Sequence, residues 1–262
     1  MIEIAKIWPD VEFLLPEDSS VRRLYFGSET CERLLPEQFE LRKAMDLASR
    51  FGFNLTLLTP VLSDIYIDRA LGLFEIFSGF PLAEVVVSAW GTLEALRDFD
   101  ITPVIGRMLS KQKRGPEIIN QYEYMPKIQK EISANVGFSS DLVRFARSMG
   151  AYRFELDPLA KGAILNLDND ARGSISISMH ASFSLVSISR FCMTATFHNG
   201  QARPPHAWSC ERQCRLESFI LSSHKMPRPL ILEGNTLFME QADWESQADA
   251  IGADRIILPA ES

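Results

Sequence analysis

The chain has 262 residues, 46% of them hydrophobic and 23% charged, with a net charge of −7. That composition supplies a large core, and the acidic balance leans against a protein that grips nucleic acid mainly through phosphates. Apolar runs are short, such as Leu82 to Val87, and none nears the ~20 residues a membrane span needs.

Residues 1–20, with Pro9 and Pro16, read as an irregular lead-in. Val21 to Gly27 reads as a first strand, and Cys31 lies just past its C-terminal end. Pro36 suits the first turn of a helix. Ala44, Leu47, Ala48 and Phe51 then share one helical face, with Gly52 as the C-terminal cap. Asn54 to Thr59 is a second strand, stopped by Pro60. A helix is expected over Ile65 to Phe77. Leu82 to Val87 is a near-continuous apolar strand of the kind buried on both faces of a parallel sheet. A short helix at Thr92 to Arg97 leads to a fourth strand, Ile101 to Gly106.

The stretch from Arg107 to Ser139 breaks this rhythm and reads as a long functional loop or insertion. Ser140 is placed to cap the next helix, whose Leu142, Phe145, Ala146 and Met149 share a face. Arg153 to Leu156 is a fifth strand. Ser174 to Ile188 alternates as one or two strands that lead toward Cys192. Leu230 to Glu233 and Thr236 to Met239 form a hairpin across Gly234-Asn235. A helix at Trp244 to Ile251 and a strand at Arg255 to Leu258 close the chain. Strand and helix alternate, and no repeat or linker stands out. The pattern therefore predicts a single α/β domain over 1–262, TIM-barrel-like, with an incomplete or distorted barrel among the forms it allows.

The chain has four cysteines: Cys31, Cys192, Cys210 and Cys214. The opening Met1-Ile2-Glu3-Ile4-Ala5-Lys6 lacks a basic region followed by an apolar stretch, so no signal peptide is expected. A cytoplasmic setting follows, in which thiols stay reduced and four cysteines point to metal ligands or plain thiols before disulfides. Four thiolates complete one metal site with none left over. Zinc knuckles commonly use two close pairs, and here only Cys210 and Cys214 are close. Ligands from separate strand ends suit a cluster seated at the mouth of a barrel. Spacing alone leaves an iron-sulfur cluster, zinc and unligated thiols open.

A resemblance favours the cluster. The run Leu24-Tyr25-Phe26-Gly27 to Cys31, followed by a polar helix and Leu55-Thr56-Leu57-Leu58-Thr59, resembles the start of the collagenase-like peptidase family U32. It is nearest the ubiquinone-biosynthesis branch of that family, which holds UbiU and UbiV. Arg190-Phe191-Cys192 with Cys210 and Cys214 is similar to the second cysteine cluster of that branch. Glu233-Gly234-Asn235-Thr236 resembles a later glycine-containing strand. The resemblance implies a barrel-type fold and a 4Fe-4S cluster on Cys31, Cys192, Cys210 and Cys214. It also implies a role in oxygen-independent hydroxylation of a quinone precursor, or of RNA, with prephenate as oxygen donor. A heterodimer with a related barrel protein follows from the same resemblance. Two features depart from the family pattern. The gap from Cys192 to Cys210 is longer, and the 107–139 segment has no counterpart.

The negative net charge favours a small aromatic or quinone-type substrate over RNA. An RNA-modifying enzyme and a non-catalytic iron-sulfur assembly partner remain as alternatives. Peptidase activity is not expected, since no Ser/His or Cys/His pair stands out. Arg107, Lys111 and Arg114 follow a strand end and offer cations for a carboxylate or phosphate. Glu29, Glu155 and Asp157 sit at strand ends, where a general base would lie. The histidines His180, His198, His206 and His224 read first as loop residues without a special role.

Overall fold

The computed structural model describes residues 2–12, 15–110, 139–159, 162, 165, 167–198, 201–202, 210, 212–215, 217–224 and 228–260. Most of the expected 107–139 insertion, including Lys111 and Arg114, lies outside the described residues. So do His206 and Trp208.

Eight parallel strands close into a barrel. They are β1 (Glu3–Trp8), β2 (Val21–Gly27), β3 (Asn54–Leu58), β4 (Glu84–Val87), β5 (Thr102–Ile105), β6 (Arg153–Leu156), β7 (Ser176–His180) and β14 (Arg255–Leu258). Each pairs with the next in that order, and β14 returns to β1. This is the TIM-barrel arrangement, and the ring is complete. The lead-in expected over 1–20 is corrected by β1, which closes the ring between β2 and β14. Pro9 masked it, since Pro ends a strand as readily as it marks a loop.

The strands alternate between two cores, as a period of two requires. Leu24 and Phe26 of β2 face outward and join a large core beneath the helices. Tyr25 between them faces inward with Ala5, Leu58, Val86, Val104 and Ile257. Val85, Val86 and Val87 are fully buried, which explains why β4 reads as an unbroken apolar run.

Helices α1 (Gln38–Phe51), α2 (Asp64–Phe77), α3 (Trp90–Ala95), α4 (Ser140–Ser148) and α5 (Asn169–Gly173) follow β2 to β6 in turn. A reciprocal capping box of Glu37 and Glu40 starts α1, and Gly52 at φ 76° ends it. Its buried face is Leu41, Ala44 and Ala48, while Phe51 stays exposed. The cap of α4 is Ser139 rather than Ser140. The Ser139 hydroxyl accepts from the Leu142 amide at 3.3 Å.

After β7 the barrel rhythm changes. A turn at Ala181-Ser182, with Ser182 at φ 64°, splits the expected 174–188 run into β7 and β8 (Phe183–Ile188). Strand β8 leaves the barrel and joins an antiparallel sheet in the order β11, β12, β13, β8. Its other strands are β11 (Phe219–Leu221), β12 (Leu230–Glu233) and β13 (Thr236–Glu240). Between β8 and β11 lie the one-turn helix α6 (Met193–Thr196) and a small pair, β9 (Phe197–His198) and β10 (Gln201–Ala202). Helix α7 (Trp244–Ile251) then returns the chain to β14. Among the described residues, no helix is long and apolar enough to cross a membrane.

A buried charge layer fills the N-terminal end of the barrel. Arg255 donates to Glu3 at 2.6 Å, to both oxygens of Glu84 at 2.7 and 3.0 Å, and to the Tyr25 hydroxyl at 3.0 Å. Arg23 donates to Glu3 at 3.0 Å and to Thr56 at 3.2 Å. Two guanidiniums thus meet two carboxylates, so the layer is neutral and each charge has a partner. In barrels of this kind the N-terminal face serves stability and the C-terminal face carries the chemistry.

Candidate functional site

The opposite, C-terminal mouth gathers a second set of buried polar groups. Glu29 follows β2, Arg107 follows β5, Glu155 and Asp157 bracket the end of β6, and His180 ends β7. All five are buried. Gly106 makes room for the approach of Arg107. A Cβ there would lie 2.9 Å from both Val86 Cγ1 and the Val87 carbonyl oxygen, so only glycine lets β5 run this close to β4.

Arg107 is held on every side. Its Nε donates to the two oxygens of Glu29 at 3.0 and 3.1 Å, and its Nη2 also meets Glu29. Nη1 donates to Asp157 at 2.7 Å. The guanidinium lies over the Phe238 ring, 5.6 Å from its centroid. Burial opposes ionisation of Glu29, but attraction to Arg107 and His180 and the Arg107 hydrogen bonds hold its carboxyl below the usual range. The expected anion-binding arginine is therefore placed in an internal ion-pair network. His180 Nε2 lies 3.1 Å from Glu155 Oε2.

The four thiols come from three chain segments. Cys31 sits in the loop after β2, Cys192 follows β8, and Cys210 and Cys214 precede β11. All four are free and half-buried. Burial raises the Cys31 thiol, and so does charge from Cys210 and Cys192. Burial also raises Cys192, with Cys210 adding to it and Arg33 pulling the other way. Burial, followed by Cys192, Cys31, Cys210 and Glu233, pushes Cys214 up to about 12. Thiols raised in this way stay protonated unless a bound cationic centre favours the thiolate.

The β12–β13 hairpin ties these segments together. Asn235 donates to the Thr30 carbonyl, beside Cys31, at 2.8 Å, and to the Ser189 carbonyl, near Cys192, also at 2.8 Å. The Thr194 amide donates to the Gly234 carbonyl at 3.1 Å. The Ala195 amide donates to Cys192 Sγ at 3.4 Å. Gly234 has φ 62°, and a Cβ on it would sit 3.2 Å from Cys214 Cβ and 3.4 Å from its Sγ. The hairpin tip is thus shaped to leave Cys214 room.

Glu233, at the end of β12, relates the two groups. Its side chain is open to solvent, yet the surrounding protein raises its carboxyl while Arg107 pulls the other way. Its charge in turn raises Cys214.

The pairing of His180 with Glu155, and the position of Glu233, were not readable from the sequence. His180 reads as a lone histidine until the strands close into a ring. The usable signal was location, since Glu29, Arg107, Glu155 and Asp157 fall at predicted strand ends, whereas His180 lay inside the expected 174–188 run. Lys111 and Arg114 lie outside the described residues, as do the side chains of His198 and His206.

No protein-family model and no curated protein matches the chain. Two solved structures are distantly similar to it. A U32 peptidase shares 12% identity, covering 100% of this chain and 94% of its own, with a TM-score of 0.48. A Group IV chitinase of Ostrinia furnacalis, solved with allosamidin, shares 10% identity over 92% of this chain and 73% of its own, with a TM-score of 0.34. The barrel assignment rests on the strand order of the chain itself.

Proposed function

We propose that Cys31, Cys192, Cys210 and Cys214 hold one 4Fe-4S cluster, and that the chain is the iron-sulfur component of an oxygen-independent hydroxylation system. The observation that carries this reading is the β12–β13 hairpin, which binds beside Cys31 and near Cys192 through Asn235 and lies against Cys214 at Gly234, so that free thiols from distant parts of the sequence share one support. An all-thiol donor set suits iron-sulfur clusters, and the amide aimed at Cys192 Sγ is the kind of outer contact that tunes one. When bound, such a cluster supplies one-electron redox chemistry. The chain itself would fix the thiols through Asn235 and keep room for them at Gly234.

The family resemblance of the cysteine flanks points to a quinone precursor or other small aromatic as substrate. It also points to a related barrel protein as heterodimer partner and a prephenate-like oxygen donor. The test is anaerobic turnover of such an aromatic by the reconstituted chain with its partner. Hydroxylated product lost in Cys192→Ala is expected. Equal product from wild type and a folded, cluster-free Cys192→Ala would reduce the thiols to a structural role. Hydroxylation of RNA instead would transfer the reading to the other substrate class.

A further inference from the structure

We infer that Glu29, Glu155 and His180 form a binding site for a divalent first-row cation inside the barrel mouth, separate from the thiols. One ligand atom from each of these three buried residues lies within 4.8 Å of the others. They come from three places around the ring: the loop after β2, strand β6 and the end of β7. The barrel itself therefore sets their spacing, rather than one flexible loop.

An independent observation points to a missing ligand. Glu155 is fully buried, and among the described residues its Oε1 has no hydrogen-bond partner. Leaving a buried carboxylate oxygen unpartnered costs about 1–3 kcal/mol or more, and such groups are uncommon in folded proteins. Its other oxygen, Oε2, is the one beside His180 Nε2. A cation held by His180 Nε2 and by both Glu155 oxygens, in place of the His180–Glu155 hydrogen bond, would use both residues and give Oε1 the partner it lacks.

Charge bookkeeping agrees. With their carboxyl groups ionised, Glu29, Glu155 and Asp157 bring three negative charges against the single positive charge of Arg107. A divalent cation with neutral His180 balances the mouth. Arg107 does not block the site, because a carboxylate offers about four lone-pair directions. Its hydrogen bonds to Glu29 instead fix that ligand, as outer contacts commonly do in metal centres. Carboxylates with one imidazole suit Mn2+ or Fe2+ better than the all-oxygen shells of Ca2+ and Mg2+.

The test uses the full-length chain, stripped of metal with a chelator and titrated anaerobically with Mn2+. Loss of the free Mn2+ paramagnetic signal reads binding. Mn2+ has little preference for thiolate, so Cys192→Ala should bind it as wild type does. This keeps the result independent of the iron-sulfur proposal. Saturable binding of one Mn2+ per chain is expected, weakened about ten-fold or more in Glu155→Gln and in His180→Gln. In wild type, electron spin-echo modulation should show an imidazole nitrogen on the bound ion, a readout that needs no variant to fold. Absence of saturable binding, or bound Mn2+ without nitrogen modulation, would overturn the site. So would affinity unchanged in folded His180→Gln.

Discussion

Arg107 meets Glu29 through Nε and Nη2 and Asp157 through Nη1, all away from solvent. Removing the guanidinium would strand two buried carboxylates. Arg107→Ala is therefore expected to lower stability by about 3–5 kcal/mol, read by urea unfolding. An effect below about 1 kcal/mol would place the network in a wetter setting than the fold implies. Glu84 gives a pH signature at the other end of the barrel. Burial opposes its ionisation, but Arg255, aided by Arg23 and Arg153, holds its carboxyl below the ordinary value of 4.5. A carboxyl depressed in the folded state adds stability in full above 4.5, and that stability is lost as pH falls through the folded value. Glu84→Gln should be about 1–3 kcal/mol less stable near neutral pH, with the gap to wild type closing on acidification. A gap that stays constant from neutral to acid pH would contradict the assignment. The sequence carried these residue types and their strand-end positions. It could not carry their pairing, because Arg107 and Glu29 are brought together only when β2 and β5 take their places in a closed ring.

At the scale of elements, the β12–β13 hairpin holds the thiol segments in register. Gly234→Ala would place a Cβ at φ 62° against Cys214. The backbone strain alone is about 1–3 kcal/mol, and the contact falls on a proposed ligand. Reduced iron retention after anaerobic reconstitution is expected, and full retention would show that the hairpin tip does not shape the site. Asn235→Ala would release the Thr30 and Ser189 carbonyls together. A drop in melting temperature with faster cluster loss is expected, whereas loss of stability alone would limit Asn235 to a fold contact. This hairpin was legible from Gly234-Asn235 between two apolar runs, as were β2, β6, α7 and β14 at their observed bounds. The departure of β8 from the barrel was not. A continuous alternating pattern does not reveal that a turn at Ser182 hands the chain to a second sheet.

At the scale of the molecule, the barrel separates its work between two ends. The N-terminal layer pairs two arginines with two glutamates and is neutral. The C-terminal mouth collects an acidic surplus and meets the antiparallel sheet, where Arg107 lies over Phe238 of β13 and donates to the Phe183 carbonyl of β8. Strand-helix alternation was enough to predict an α/β barrel, while its closure depended on β1, hidden by Pro9 in an apparently irregular start. The four cysteines were legible as a set, but not the Asn235 side chain that links the Cys31 and Cys192 segments through carbonyls 205 and 46 residues away. The most direct test is iron and acid-labile sulfide analysis of anaerobically purified protein, with a visible spectrum. The account predicts a brown protein with about four irons and four sulfides per chain, both lost in Cys192→Ala. A colourless chain that takes up no iron or sulfide on anaerobic reconstitution would contradict it.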